Sequence, residues 1–229
     1  MRKAFDNVNH ECLWNKLHKY GIDGRMFKAI QSLYKDVSCS VRVNGRLSPW
    51  FGVSQGVKQG CTLSPTLFQI YINDLIDEIN ALECGINIGN KSVSVLLFAD
   101  DIAIIAKNEE DLQRCLNVVN NWCNKWRLSI NSSKSKIIHY RFKGKQCSNY
   151  KFMCGQYQLD YTDNYRYLGL WLNEHLNYDD MVKDLSKSAS RALSALIAKY
   201  YHLGGMEFEV YTKLYMSLVV PVFTYGAAI

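Results

Sequence analysis

The sequence has little of the material that builds linkers, membrane spans or disordered regions. Only 3 of its 229 residues are proline and 14 are glycine, which leaves little for long flexible linkers. Its longest apolar runs, at 93–99 and 218–223, are far shorter than the roughly 20 residues that cross a bilayer, so no membrane interaction is expected. With 48% hydrophobic and 21% charged residues, the composition is that of a folded globular protein and excludes wholesale disorder.

The eight cysteines lack the spacing of a zinc site or a disulfide scaffold. They are scattered along the chain, without a Cys-x-x-Cys pair and without histidines at a zinc-finger interval. A chain of this size can form its core without covalent cross-links, and its first residues do not resemble a signal peptide. We therefore expect reduced, mostly buried thiols and an intracellular location, in the nucleus or the cytoplasm.

The formal net charge of +6 is unevenly distributed. Residues 1–60 carry a net charge of +6, residues 61–114 carry −6, and residues 115–229 carry +6 again. No acidic residue lies between Asp111 and Asp160. An acidic centre between basic arms is typical of a protein that binds a polyanion and holds cations at one place. An ordinary solvated surface explains the charge pattern equally well.

The periodicity of the apolar residues predicts interleaved helices and strands. Helices are predicted at 10–20, 25–34 and 64–82, from Asn108 onward, and at 179–221 with a break at Gly204-Gly205. Strands are predicted at 92–98, 102–107, 136–142 and 165–172, and hairpins at 151–161 and around Asn44-Gly45, a type I′ signal. This irregular order favours an α+β domain followed by an α-helical piece.

Asp100 and Asp101 are the clearest chemical signal in the sequence. They lie side by side between two apolar strands, where like-charge repulsion would push one carboxyl group toward protonation. A divalent cation relieves that repulsion, and hard oxygen ligands favour Mg²⁺ or Mn²⁺. The alternative is an ordinary turn, since aspartate is common in turns.

Four further motifs accompany the Phe-Ala-Asp-Asp sequence at 98–101, in one order along the chain. They are Lys-Ala-Phe-Asp-Asn-Val-Asn-His at 3–10, the glycine-flanked loop at 56–65, Asn-Ser-Ser-Lys-Ser at 131–135, and Tyr-Leu-Gly at 167–169. The set closely resembles the reverse transcriptases of non-LTR retrotransposons and, more distantly, those of group II introns. The resemblance extends over residues 1–229.

The resemblance implies the fold of a right-hand polymerase. Residues 1–173 would form the palm, an antiparallel sheet with packed helices, and a partial finger segment would be inserted at about 36–62. Residues 174–229 would form an α-helical thumb. The expected partners are an RNA template, a DNA primer and dNTPs, and the oligomeric state is open.

The resemblance also implies roles for the residues of the palm. Asp100 and Asp101 would bind the catalytic Mg²⁺ or Mn²⁺ ions. Phe5 would lie under the incoming sugar and exclude a 2′-hydroxyl, and Gln59 and Gly60 would contact the template and the nascent base pair. For Phe5, a simple core position remains the alternative.

Lys134 matches the family's lysine that protonates or neutralises the pyrophosphate leaving group, although an exposed lysine would be unremarkable there. Tyr167, Leu168 and Gly169 resemble the strand that grips the primer terminus, and a core strand remains the alternative.

The family's first metal-binding Asp would fall immediately before Met1, three residues ahead of Lys3. Asp6 is not expected to replace it, because Asp6 is predicted to cap the helix that starts near Asn9. We therefore expect a fragment with little or no polymerase activity alone. One alternative is a nucleic-acid-binding remnant without catalysis; another is an RNA-templated RNA polymerase of viral type, which the motifs at 3–6 and 98–101 disfavour.

Overall fold

The computed structural model describes residues 1–227. These residues form two compact units. The first unit comprises Met1–Ser135 and Tyr150–Leu159, and the second comprises Lys136–Asn149 and the chain from Asp160 onward. Both units combine helices with small sheets, so the α+β prediction is confirmed. The assignment of palm, finger and thumb to particular residue ranges stays a prediction.

The helices lie close to their predicted positions. They are α1 (His10–Lys19), α2 (Gly24–Ser32), α3 (Ser64–Asn80), α4 (Glu109–Lys125), α5 (Asp179–His202), α6 (Phe208–Leu218) and α7 (Val220–Phe223). Helix α4 begins where its capping residue predicts, because the Asn108 side chain accepts a hydrogen bond from the amide of Asp111 at 2.8 Å. The predicted break between α5 and α6 occurs at Gly204 and Gly205, which both have positive φ.

Short strands pair two by two throughout residues 1–227. In the first unit the antiparallel pairs are β1 (Ser38–Cys39) with β4 (Phe51–Gly52), β2 (Arg42–Val43) with β3 (Arg46–Leu47), β5 (Ile86–Ile88) with β6 (Lys91–Val93), β7 (Val95–Phe98) with β8 (Asp101–Ile104), and β10 (Met153–Cys154) with β11 (Tyr157–Gln158). In the second unit β9 (Lys136–Ile137) pairs in parallel with β12 (Asp160–Tyr161), and β13 (Asn164–Tyr167) pairs antiparallel with β14 (Leu170–Asn173).

Helix α3 lies at the centre of the first unit, where it contacts α1, α4 and β7. Its apolar stripe is buried as the period predicts, and α1 contributes Leu13 and Leu17 from the facing side. The start of α3 differs from the prediction. Ser64 is the first helical residue rather than the cap, and its hydroxyl donates to the carbonyl oxygen of Lys58 at 2.6 Å.

A buried ion pair crosses this core. Lys16 is fully buried and donates a hydrogen bond to the Asp74 carboxylate, which also accepts one from Trp122 Nε1 at 2.8 Å. The Lys16 ammonium lies 3.7 Å from the centroid of the Trp126 ring, and the Tyr71 hydroxyl donates to the Trp126 carbonyl oxygen at 2.5 Å. Burial lowers the pKa of Lys16, and the hydrogen bond to Asp74 opposes that shift. We call these five residues the Lys16–Asp74 cluster.

The second unit corrects two strand predictions. The run at 165–172 is a hairpin rather than one strand, because the chain reverses at Leu168 and Gly169, whose φ angles are +48° and +87°. The run at 136–142 is a strand only at Lys136–Ile137. Helices α5, α6 and α7 pack around a small core that includes Ala189, Leu196 and Val219. No helix in residues 1–227 is both long and apolar enough to span a membrane.

All eight cysteines are free thiols. Four are buried, three are half-buried and Cys39 is exposed, so burial is less general than predicted. Among the buried thiols, burial raises the pKa of Cys115 and Cys123 to about 12 and that of Cys154 to about 11.

Alkaline pH is therefore expected to destabilise the first unit. Between the usual thiol pKa of 9.0 and the raised values, the folded state keeps protons that the unfolded chain has released, so stability is lost as the pH rises through this window. Lys16 has the opposite effect on stability. Because its pKa is lowered by folding, the unfolded state binds its proton more tightly, and this contribution to stability rises with pH. We expect the urea midpoint to fall above pH 9 and Cys123→Ala to flatten that dependence. Cys39→Ala is the control, and equal slopes for both variants would contradict the prediction.

Candidate functional site

The two neighbouring aspartates lie at the tip of the β7–β8 hairpin. Phe98 pairs with Asp101 across the turn, and Ala99 adopts a left-handed φ of +51°. One face of the hairpin packs on the core through Leu97 and other apolar residues. The Asp101 side chain is exposed and that of Asp100 is 37% exposed, so both carboxylates can be reached from solvent.

A cationic group already lies against Asp100. The Met1 ammonium is 3.8 Å from Asp100 Oδ2 and donates a hydrogen bond to the Asp100 carbonyl oxygen at 3.1 Å. Asp100 and Asp101 are carboxylates, the donor type that Mg²⁺ prefers. Within residues 1–227, no three side chains from His, Cys, Asp and Glu come together as a metal site. The hairpin tip thus offers two carboxylates, whose donor chemistry is compatible with a divalent ion.

The first residues of the chain link this hairpin to other predicted site residues. The Phe5 carbonyl oxygen accepts a hydrogen bond from the Val57 amide at 2.8 Å, and the Arg2 amide donates to the Ser129 carbonyl oxygen at 2.9 Å. Four residues extend at most about 14 Å, so Phe5 lies no farther than that from Met1 and its contact with the hairpin. The first five residues of the chain therefore link the hairpin of Asp100 and Asp101 to Val57 and to Ser129 by hydrogen bonds.

Phe5 forms one wall of an open cavity of about 400 Å³. The other lining residues come from the loop before α3 and from its first turn: Lys58, Gln59, Gly60, Cys61, Thr62, Ser64 and Pro65. The half-buried Phe5 ring stacks on Phe68 of α3, with centroids 4.6 Å apart and planes 19° apart. The structure thus brings Phe5, Gln59 and Gly60 together around one cavity.

Asp6 does not cap helix α1. The Asn9 side chain caps it by accepting a hydrogen bond from the Cys12 amide at 3.0 Å, so the predicted cap is wrong. The Asp6 carboxylate instead accepts a hydrogen bond from Gln59 Nε2 at 2.9 Å. This bond joins the exposed Asp6 to the loop at 58–62 that lines the cavity, which we call the cavity loop.

Just before the cavity loop, the backbone at Gly56 packs closely against the backbone at Asp6 and Val8. The Gly56 amide donates to the Val8 carbonyl oxygen at 2.8 Å, and the Gly56 carbonyl oxygen is 2.8 Å from His10 Nε2. Gly56 has a φ of +88°, and a Cβ there would lie 2.8 Å from the Asp6 carbonyl oxygen. Only glycine fits this position without displacing the chain.

Gly56→Ala is expected to destabilise the first unit more than Gly60→Ala does. Both glycines have a left-handed φ, so either substitution carries backbone strain of about 1–2 kcal/mol. At Gly60 a Cβ would meet nothing within 4 Å, whereas at Gly56 it would clash with backbone. We expect losses of about 2–4 kcal/mol for Gly56→Ala and about 1–2 kcal/mol for Gly60→Ala in urea unfolding. Equal losses would contradict the close approach.

Lys134 lies in the first unit, near the end of the segment that bonds to Arg2. Its side chain is exposed, and its amide donates to the Asn131 carbonyl oxygen at 3.1 Å. Ser129 is five residues earlier, so Lys134 lies within about 18 Å of the backbone position that Arg2 contacts.

The Tyr167-Leu168-Gly169 motif belongs to the second unit, where it forms the end of β13 and the turn into β14. The Tyr225 hydroxyl donates to the Leu168 carbonyl oxygen at 2.7 Å, and a Cβ on Gly169 would lie 3.3 Å from the Tyr225 ring. These contacts hold a turn, not the continuous strand that the resemblance implies.

Sequence reasoning missed three features of the first unit. Lys58 and Cys61 line the cavity. The pKa of the Cys61 thiol is lowered, mainly by a hydrogen bond from the backbone amide of Leu63. The buried pair of Lys16 and Asp74 was missed as well, although both residues fall on the apolar faces of their helices. That position was the available signal, because a charge within an apolar stripe requires a buried partner.

Comparison with protein families shows which family this chain belongs to. Residues 1–172 match the family described as reverse transcriptase (RNA-dependent DNA polymerase). The chain belongs to the reverse transcriptase family. The match covers Phe5, the cavity loop and the hairpin of Asp100 and Asp101, and it ends within β14.

Curated relatives of this reverse transcriptase chain come from mobile elements. It is 26% identical over 227 residues to the RNA-directed DNA polymerase from mobile element jockey of Drosophila funebris, covering 96% of this chain and 24% of that protein. It is 32% identical over 149 residues to a Pol polyprotein from type-1 retrotransposable element R2 of Popillia japonica, covering 64% and 21%. A type-2 R2DM polyprotein of Drosophila melanogaster is 29% identical over 175 residues, covering 73% and 16%.

These relatives confirm the resemblance to the RNA-directed DNA polymerases of non-LTR retrotransposons. The reverse transcriptase chain spans about a quarter or less of their length.

Proposed function

We propose that this chain supplies metal-binding and substrate-binding residues for RNA-directed DNA synthesis, the addition of deoxynucleotides to a DNA primer 3′-hydroxyl on an RNA template. The observation that carries this proposal is the cavity in which Phe5 meets Gln59 and Gly60. The same N-terminal segment contacts the hairpin of Asp100 and Asp101. This segment therefore connects the residues proposed to contact the nucleotide with those proposed to bind metal.

The proposal includes a right-hand polymerase arrangement. Residues 1–173 would serve as the palm, with the paired strands β1–β4 within the finger segment at about 36–62. Residues 174–229 would serve as the thumb, for which the three packed helices α5, α6 and α7 are suitable. The mixture of helices and small sheets is compatible with this arrangement.

Asp100 and Asp101 would hold the divalent ions that reverse transcriptases generally use. When bound, such ions lower the pKa of the attacking hydroxyl group and neutralise charge on the triphosphate. Both aspartates sit on a rigid hairpin that packs on the core, so their carboxylates need little reordering to bind a cation. Exposure at the hairpin tip leaves room for phosphate oxygens beside them.

The cavity suits a deoxynucleoside triphosphate. Phe5 is fixed by stacking on Phe68, so its ring presents a fixed wall that would leave no room for a 2′-hydroxyl. Lys58 offers a positive charge to phosphate from the cavity wall. Gln59 is oriented by its bond to Asp6 and would contact the template base pair.

Lys134 would donate a proton to, or neutralise, the pyrophosphate leaving group. Its side chain is exposed in the segment after Ser129. The Tyr167-Leu168-Gly169 turn would contact the primer terminus, and the Tyr225 hydroxyl, by holding the Leu168 carbonyl oxygen, would keep the turn in its hairpin form.

Primer extension tests the proposal. The chain is incubated with an annealed RNA template and DNA primer, Mg²⁺, and either dNTPs or NTPs. Incorporation of dNTPs in preference to NTPs supports the proposal, and preferential NTP incorporation would instead indicate an RNA polymerase. Template binding without any extension would favour the second candidate, a nucleic-acid-binding domain without catalysis, which is consistent with the two-carboxylate site in residues 1–227.

Nucleotide binding is expected to slow alkylation of Cys61. The thiol lines the cavity, and its lowered pKa makes it more reactive toward iodoacetamide than an ordinary thiol at the same pH. A bound triphosphate would cover it, so we expect at least a threefold slower rate in saturating dNTP, measured by mass spectrometry. Exposed Cys39, which does not line the cavity, is the internal control. Equal rates with and without dNTP at both thiols would place the nucleotide elsewhere.

A further inference from the structure

The tight turn at residues 141–145, in the second unit, exposes an aromatic ring, Phe142, that is followed by two lysines, Lys143 and Lys145. The Phe142 side chain is 87% exposed, and Lys143 and Lys145 are both exposed. The Lys145 amide donates to the Phe142 carbonyl oxygen at 3.2 Å, and Gly144 has a φ of +85°. We call residues 141–145 the basic turn.

The base of this turn is fixed by a buried carboxylate. Glu174 is 8% exposed and pairs with the Arg141 guanidinium, whose Nε also donates to the Lys145 carbonyl oxygen at 2.9 Å. The Arg141 amide donates to the Glu174 carbonyl oxygen at 3.0 Å, and the Arg141 carbonyl oxygen is 2.7 Å from His175 Nδ1. Arg141 thus closes both ends of the turn, so the exposed Phe142 is held on an ordered support.

The two lysines are not neutralised within the described chain. Among residues 1–227, no carboxylate lies within ion-pair distance of Lys143 or Lys145. An exposed aromatic ring with two unneutralised lysines in the same tight turn is suited to a ligand that has a flat face and neighbouring negative charges. A protein partner fits less well, because charged residues are depleted at the centre of protein interfaces.

We propose that the basic turn binds single-stranded nucleic acid, with one base stacked on Phe142 and the flanking phosphates contacted by Lys143 and Lys145. Single strands suit the turn because their bases are free to stack on an aromatic side chain, whereas duplex bases are already stacked. This assignment concerns binding by the second unit and holds whether or not the chain polymerises nucleotides.

Fluorescence anisotropy with labelled single-stranded RNA and DNA, in EDTA, tests the basic turn. We expect Phe142→Ala to weaken binding of the full chain roughly fivefold to a hundredfold, and Phe142→Trp to restore it. Lys143→Ala/Lys145→Ala is expected to reduce the slope of log K against log salt by about 1.4, since each phosphate contact on a single strand contributes about 0.7. Comparing the RNA and DNA arms shows which strand the turn prefers.

Phe208 is the matched control for the ring. It is 82% exposed in the same unit but lies between Glu207 and Glu209, so Phe208→Ala should leave binding unchanged. Lys91→Ala/Lys107→Ala removes the same charge from the acidic middle of the chain. Its salt slope should be closer to the wild-type slope than that of Lys143→Ala/Lys145→Ala.

Three results would overturn the assignment. They are failure of the wild-type chain to bind single strands, wild-type affinity in Phe142→Ala, and equal effects of Phe142→Ala and Phe208→Ala. In those cases the exposed Phe142 ring would instead be assigned to contact with a protein partner. An Asp100→Asn/Asp101→Asn variant that binds normally but does not extend a primer separates this proposal from the proposed function.

Discussion

Replacing either Asp100 or Asp101 with asparagine is expected to lower the rate of nucleotide addition at least about a thousandfold. Asparagine keeps the size of the side chain but removes the charge that holds a divalent cation. Metal ions contribute several kcal/mol to stabilising the transition state of such reactions, and about 4 kcal/mol corresponds to a thousandfold. Single-turnover primer extension on an RNA template, with saturating Mg²⁺ and dNTPs, measures the effect.

Asp77→Asn is the matched control, because Asp77 is an exposed carboxylate on helix α3. We expect it to leave the rate within about twofold of wild type. The Asp100 and Asp101 variants should keep wild-type stability and template binding, since both side chains reach solvent at a hairpin tip. If they lost RNA binding as well as extension, the two aspartates would be structural rather than metal-binding.

Asp74→Ala is expected to destabilise the first unit by about 3–5 kcal/mol. The substitution leaves the fully buried Lys16 ammonium without its carboxylate and removes the acceptor of the Trp122 hydrogen bond. Breaking a buried ion pair from one side is costly, because an uncompensated charge remains in the core. Urea unfolding followed by tryptophan fluorescence is a direct measurement, since Trp122 and Trp126 belong to the cluster.

Two variants make that prediction specific. Asp77→Ala, three residues along the same helix but exposed, should change stability by no more than about 0.5 kcal/mol. Lys16→Met/Asp74→Leu should recover much of the loss, because apolar replacement of a whole buried pair is often neutral or stabilising. Equal costs for Asp74→Ala and Asp77→Ala would show that the ion pair adds nothing to the core.

Local signals in the sequence predicted the elements whose causes are local. The Asn44-Gly45 hairpin forms because both residues take the positive φ of a type I′ turn, +49° and +80°. Helix α4 begins after Asn108 because that side chain satisfies an amide of the first turn. The pairing of strands β7 and β8 around the two aspartates follows equally from two apolar runs with a short turn between them.

The predictions failed where distant contacts decide the conformation. Leucine rarely adopts the left-handed φ that Leu168 has, so nothing in the local sequence predicts the turn that divides 165–172 into a hairpin. The Tyr225 hydroxyl supports it by bonding the Leu168 carbonyl oxygen, 57 residues away in sequence. The strand predicted at 136–142 is shortened because its later residues are engaged by Glu174 and His175 at the base of the basic turn.

The amino-acid order alone determined which family the motifs resemble and which residue types they provide, since those properties belong to short stretches of chain. Only the tertiary structure decided that Gln59 bonds to Asp6, 53 residues away, that Phe5 shares a cavity with Gln59, and that Lys16 meets Asp74 inside the core. The physical reason is that such contacts depend on how helices and loops pack, and packing brings together groups whose spacing in the sequence carries no signal of their proximity.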